Sequence, residues 1–303
     1  MYKSLYAIVV NYNNYADTRQ CIESLRESVY PIKKIILVDN GSQDGSIEQL
    51  QRDYLQDDKV YIIRNKRNLG FAGGANIGIR YALDLGAELI FLLNNDAIVD
   101  RVCIKRLCSA MAETERVGIA GPRILYHKDP ERIWQGGGYF NYMKTGIVNP
   151  EKNKLVTYCS KKTKEVGFLT GCAILVTQEV FKKIGLFDED FFFYGEDVDF
   201  CLLARRAGFR LLYVPEAKAW HKIENIAKER TSPFVMYHLA RSHLLVIRKN
   251  FFVPYYLYGV MVHLLFYTPY RMWQLIQGSR SWKAVLAWLK GTWDGLARKD
   301  KKE

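Results

Sequence analysis

The chain of 303 residues is long enough for one large hydrophobic core or two modest ones, and its formal charge of +12 is unevenly placed. Residues 226–303 carry 13 basic against 4 acidic side chains, together with many Trp and Tyr, a composition that suits either nucleic acid or an anionic membrane surface. The six cysteines form no CxxC pair and no metal-ligand spacing, which argues against a disulfide scaffold or a zinc site and fits a reducing, cytoplasmic compartment.

The first hundred residues alternate between strand and helix signals. Residues 5–10 read as a strand, and Asp17 with Gln20 three positions later resembles the start of a helix carrying Cys21, Ile22 and Leu25 on one face. An apolar run then stops at Asp39-Asn40-Gly41-Ser42, and Ser46 with Gln49 repeats the start signal. Residues 60–63 form a third predicted strand, a glycine-rich loop covers 68–76, and a helix is expected from near Ala75. The run 88–93 is apolar after its first residue and ends at Asn94-Asn95-Asp96, the pattern of a strand buried on both faces. This alternation predicts an α/β fold with a mainly parallel sheet and helices on both sides.

Regular patterning dissolves between about 122 and 165, where Gly136-Gly137-Gly138 and a lysine-rich run suggest a surface excursion. It resumes with a strand over 166–176, a helix over 178–184, another from near Glu196 and a strand over 210–215. Residues 251–270 are almost free of charge and match the roughly 30 Å of a bilayer core, but Pro254, His263 and Pro269 interrupt them. Beyond, Arg271, Arg280, Lys283, Lys290 and Arg298 alternate with Trp273, Trp282, Leu286, Trp288, Leu289 and Trp293. That pattern predicts amphipathic helices lying on a membrane, with packing against the rest of the chain or a second copy as the alternative.

Three acidic groups stand where chemistry is expected. Asp39 and Asp96 each end a predicted strand, and ligands of open α/β sheets gather at the carboxyl ends of strands. Glu196-Asp197 opens a helix after Phe191-Phe192-Phe193-Tyr194, as either a macrodipole partner or a general base. The loop around Gly70 permits close backbone approach to a phosphate, yet it spells neither GxGxxG nor the Walker sequence. The aromatic run, with Tyr194, and the loop holding Trp134 and Gly137 either shape a pocket or pack in a core and a turn.

Six blocks in order carry a family resemblance: VVNYN at 9–13, VDNGSQDGS at 38–46, NLGFAGGANIG at 68–78, FLLNNDA at 91–97, GEDVDFCLLARRAGF at 195–209 and YVPEAKAWH at 213–221. Together they resemble glycosyltransferase family 2, with the rhamnosyltransferase-like members nearest. The resemblance covers roughly the first three quarters of the chain and implies a GT-A catalytic domain over residues 1–225, while the pattern described above makes 226–303 a basic, aromatic-rich helical segment expected to associate with a membrane. It implies inverting transfer of a sugar, possibly rhamnose, from a nucleotide diphosphate donor to a saccharide or lipid-linked saccharide at the inner face of the cell membrane. By residue matching, Asp197 would be the catalytic base, and Asp96 with His221 would hold Mg²⁺ or Mn²⁺. Asn11, Asn13, Asp39, Gly70, Asn76 and Asn95 would serve the nucleotide, and Trp134, Gly137, Gly171, Tyr194 and Glu196 the sugar or acceptor. Asn94-Asn95-Asp96 departs from the family's DxD pattern in having one carboxylate, so metal binding would lean on His221 and the diphosphate. A scaffold of this fold without turnover and a sugar nucleotidyltransferase rank below this reading, and nucleic-acid binding ranks last.

Overall fold

A computed structural model describes residues 2–222, 231–279 and 281–297. The first half runs β1 (Leu5–Asn11), α1 (Tyr15–Arg26), β2 (Ile32–Asp39), α2 (Ser46–Asp53), β3 (Val60–Arg64), α3 (Gly70–Asp84), β4 (Leu89–Asn94), β5 (Ala97–Val99), α4 (Cys103–Ala112) and β6 (Val117–Tyr126). There follow β7 (Ile133–Gln135), β8 (Tyr139–Asn141), β9 (Gly146–Val148), β10 (Lys164–Val166), β11 (Ala173–Thr177), α5 (Gln178–Ile184), α6 (Glu196–Arg206) and β12 (Arg210–His221). Helices α7 (Pro233–Asn250), α8 (Val253–Val262), α9 (Thr268–Gln274) and α10 (Trp282–Leu296) close the described chain, with π-helical turns at His263–Tyr267 and Leu275–Ser279.

The main sheet runs β3-β2-β1-β4-β11-β6-β12-β10. Its β3-β2-β1-β4 part is parallel, β11 is antiparallel to both neighbours, and β12 is again parallel to β6. Alternation along β1 assigns its side chains to two cores: Leu5, Ala7 and Val9 face α1 and α4, whereas Tyr6 and Ile8 face α3 and the α5–α6 side. Burial on both faces is why these strands read as unbroken apolar runs.

Several local expectations shift. Helix α1 is capped by Asn14, whose side chain accepts from the Asp17 amide, so Asp17 stands in the first turn instead of at the cap. Ser46 is the first residue of α2, not its cap, and its hydroxyl accepts from Asn11. Helix α3 begins at Gly70, five residues before the predicted start. A Cβ on Gly78 would sit 2.7 Å from Ile8 Cγ2, and one on Gly74 would sit 2.9 Å from Val10 Cγ1, so the glycines let the helix lie close on the sheet. The predicted strand over 166–176 divides into β10 and β11, which pair with different neighbours, and residues 167–172 cross between them. The irregular reading of 122–165 is also revised, since β6 continues to Tyr126. Pro122 is accommodated where the pairing jumps from Val214↔Pro122 to Lys218↔Arg123, a bulge that relieves its missing N–H.

Among the described residues no helix is long and apolar enough to cross a membrane. Arg280 and Arg298, predicted to belong to the cationic pattern, lie outside the described residues.

The C-terminal helices are tied to the β8–β9 hairpin through the half-buried His243 and the buried His263. The His243 Nε2 atom lies 2.6 Å from the Thr145 carbonyl, which can only accept, so the proton sits on Nε2 and Nδ1 accepts from His263 Nδ1 at 2.8 Å. The His263 Nε2 atom then accepts from the Thr292 hydroxyl at 3.0 Å. Each ring nitrogen has a partner, and the Thr145 hydroxyl also lies 3.3 Å from His243 Nε2. Burial lowers His243 to about 4, and burial followed by the charge of His243 lowers His263 to about 3. An unfolded histidine takes up its proton near 6.5, so the unfolded chain binds more protons below that value and the pair's stabilisation is lost as pH falls towards 4. Denaturant-unfolding midpoints should therefore drop across that window, and less steeply in His263→Asn; equal slopes in the two proteins would contradict the assignment.

Candidate active site

The parallel register aligns Asn11 with Asp39 and Val10 with Asn94, so β1, β2 and β4 end at one edge of the sheet. A cleft of about 1570 Å³ opens there. Val10, Tyr12, Asn40, Asn68 and Gly70 line it from the sheet and α3, Thr170, Gly171, Glu196 and Asp197 from the second half, and Phe234, Tyr270, Trp273 and Gln274 from the C-terminal helices.

Asp96 and His221 meet although 125 residues separate them. Strand β5 pairs antiparallel with the end of β12, matching His221 to Ala97, and the Lys222 amide donates to the Asp96 carbonyl at 2.8 Å. His221 Nε2 consequently lies 2.9 Å from Asp96 Oδ1. The ring is backed by Trp134 at a centroid distance of 4.3 Å, and its buried Nδ1 has no hydrogen-bond partner among the described residues. Among the described residues no three His, Cys, Asp or Glu side chains gather into a metal cage. The pair nevertheless fits one side of an octahedral ion: ligands about 2.1 Å from Mg²⁺ or Mn²⁺ in adjacent positions stand about 3.0 Å apart, and such ions commonly take their remaining oxygens from water and phosphates.

Glu196 and Asp197 open α6, placed there by Gly195 in the left-handed region at φ 93°. The Asp197 carboxylate accepts from the Gly171 amide at 3.0 Å and from the Val198 amide at 2.8 Å. Burial raises its proton affinity above the ordinary carboxylate range, against the opposing pull of those amides. Glu196 is raised to about 8, by burial first and then by the Asp197 charge, and its buried Oε2 has no hydrogen-bond partner among the described residues. Two adjacent carboxyls that resist joint ionisation thus face the cleft, the usual arrangement for handling a proton near neutral pH.

The other predicted residues divide. Asn95 lines the cleft and donates to Thr18 Oγ1 at 2.9 Å. Asn11 and Asp39 are fully buried partners in a knot beneath it. Asn11 Nδ2 donates to Asp39 Oδ1 at 2.9 Å, and Asp39 Oδ2 accepts from the Ser42 amide at 3.1 Å. Asn13, at φ 52°, fixes the same knot by accepting from the Gln43 amide. Gly70 also adopts a positive φ, and a Cβ there would lie 2.3 Å from the Phe192 carbonyl; glycine lets the aromatic loop seat on α3. Tyr194, Trp134 and Gly171 line the cleft.

Like Asn11, Asn13 and Asp39, two further predicted residues do not line it. Asn76 is spent on the loop before α6, donating to the Phe187 carbonyl at 2.8 Å and accepting from its amide at 3.0 Å. Gly137 packs on Tyr213 and Val166. Conversely, sequence reasoning passed over Asn40, which bridges the Asn68 side chain and the Gly70 carbonyl, although its place after Asp39 was a signal. Thr170, a hydrogen-bond partner of Asp197, and the roof residues from α7 and α9 had no sequence signal.

Comparison with known proteins shows the family and the fold. Residues 6–185 match the model of the family described as glycosyl transferase family 2. The dTDP-rhamnosyl transferase RfbF of Shigella flexneri is 30% identical over 264 residues, covering 82% of each chain. The N-acetylglucosaminyl-diphospho-decaprenol L-rhamnosyltransferase of Mycobacterium tuberculosis is 25% identical over 78% of this chain and 80% of its own. A mannosyltransferase from Pyrobaculum calidifontis, solved with GDP-Man and Mn²⁺, superposes with a TM-score of 0.62 at 14% identity, over 99% of this chain and 88% of that one. GalNAc-T7, solved with UDP, GalNAc and Mn²⁺, gives the same TM-score at 17% identity over 80% of this chain and 47% of that one. The sheet, the cleft at its carboxyl edge and a family match over residues 6–185 make one conclusion: the chain belongs to glycosyl transferase family 2 and is a glycosyltransferase.

Proposed function

We propose that the cleft transfers a hexosyl residue, with inversion, from a nucleotide diphosphate donor to a saccharide hydroxyl, Asp197 acting as the base. The observation that carries this reading is that Asp197, held by the Gly171 and Val198 amides, lines the same cleft as the Asp96–His221 pair. The acceptor proton passes to the Asp197 carboxylate while the acceptor oxygen bonds to the anomeric carbon and the bond from that carbon to the diphosphate breaks. The electron pair leaves with the phosphate oxygen. Asp96 and His221 would hold Mg²⁺ or Mn²⁺, which when bound supplies positive charge for the departing diphosphate. Burial raises the proton affinity of Asp197 and so suits it to removing a hydroxyl proton. Glu196, held protonated below about 8, would leave Asp197 as the charged member of the pair. Likeness to the Shigella flexneri enzyme favours dTDP-rhamnose as donor.

Two variants separate the roles. Asp197→Asn should lower transfer by roughly 10²–10⁴-fold while the thermal shift with nucleotide and Mn²⁺ persists. Asp96→Ala should lose the metal-dependent part of that shift, measured with UDP, dTDP, GDP and CDP in parallel. Equal loss of nucleotide binding in both variants would refute the division.

Glu196 offers a second, ligand-free test. Its folded pKa lies above the ordinary 4.5, so the unfolded chain binds fewer protons between 4.5 and about 8 and stability falls as pH rises through that window. Glu196→Gln should remove this loss, with a melting-temperature gain that grows towards pH 8. A gain independent of pH would mean the carboxyl is not held protonated.

A further inference from the structure

We propose that the outer face of the C-terminal helices docks on an anionic lipid bilayer, setting the mouth of the cleft at headgroup depth. The docking surface stands by itself and does not depend on the transferase reading above.

More than half of the large hydrophobic side chains exposed among the described residues fall between Phe252 and Trp293. Helices α8 and α9 and the two π turns form one uninterrupted helical run from Val253 to Ser279. Its inner side buries Gly259, His263, Thr268 and Leu275, and the step from 263 to 268 is five residues, one more than an α-helix repeats on a face. The π turn at His263–Tyr267 absorbs the extra residue and keeps both faces in line. On the outer side the same adjustment aligns Val253, Leu257, Met261, Phe266, Tyr270 and Trp273 into an apolar stripe roughly 30 Å long at about 1.5 Å per residue.

Helix α10 adds a second row. Its inner face is pressed on α7, where a Cβ on Gly291 would lie 2.2 Å from the Tyr237 carbonyl. Its outer face shows Trp282, Lys283, Leu286, Leu289, Lys290 and Trp293, four apolar groups interleaved with two cations where a water-facing helix would be polar. Rings at headgroup depth with cations reaching phosphates are the chemistry of a membrane interface. A second copy fits less well, because pairing this face with itself would oppose lysine to lysine in a segment holding 13 basic against 4 acidic residues. Tyr270 and Trp273 belong both to the stripe and to the cleft lining, so a bilayer on the stripe meets the cleft mouth.

The test sediments the full chain with vesicles of phosphatidylcholine containing phosphatidylglycerol, and with phosphatidylcholine alone. Binding to the anionic vesicles should exceed binding to the neutral ones and fall about tenfold or more in the Leu257→Glu, Leu286→Glu double variant. The nucleotide-induced thermal shift should be unchanged in that variant, which also reports its folding. Equal pelleting of variant and wild type, or no pelleting of either, would overturn the docking surface. So would concentration-dependent dimers lost in the variant without vesicle binding. Pelleting with no nucleotide shift in either protein would support the surface and refute the donor site instead.

Discussion

The antiparallel pairing of β5 with the end of β12 is the contact on which the site depends. Three residues from each strand suffice, and they set Ala97 opposite His221. Strand β6 already pairs with β12 as far as His221, so it is the β5 pairing that brings Asp96 to the imidazole. The pairing in turn requires β12 to run twelve residues alongside β6, past the bulge that accommodates Pro122 and Pro215. A tolerated irregularity in one strand therefore decides where an imidazole and a carboxylate meet.

Burial acts on the other side of the cleft. The first residues of a helix ordinarily favour ionised carboxyls, through the macrodipole and free amides. At Glu196 and Asp197 the aromatic loop and the C-terminal helices remove water, and desolvation outweighs that preference. The loop is held from above: the Arg241 guanidinium donates to the Asp190 carbonyl at 2.7 Å, and the Ser242 hydroxyl to the Phe193 carbonyl at 3.2 Å. The C-terminal helices thus form part of the site's electrostatics as well as its roof.

Those helices also show how one element can satisfy two surroundings. Their inner face meets the exacting geometry of glycine contacts and a histidine relay, in which every ring nitrogen is hydrogen-bonded. Their outer face carries large apolar groups that the fold itself leaves uncovered. The π turns reconcile the two, since an α-helix of the same length would rotate one face out of line.

Strand and helix order through the first hundred residues, the parallel sheet and the acidic ends of β2 and β4 could be read from the chain, because burial on both faces writes itself as uninterrupted apolar runs. The ordered motifs pointed to the family for the same reason: each block occupies a strand end or helix start. Boundaries that depend on distant partners could not be read. The start of α3 at Gly70 depends on the Phe192 carbonyl, the division of 166–176 depends on which strands flank it, and the use of Asn76 depends on a loop more than a hundred residues away. Local sequence thus determined the order of strands and helices through the first hundred residues and the polar residues that follow β2 and β4. Tertiary structure alone decided which side chains share the cleft, because hydrogen-bond register and desolvation are properties of pairs of segments, and neither is encoded within one.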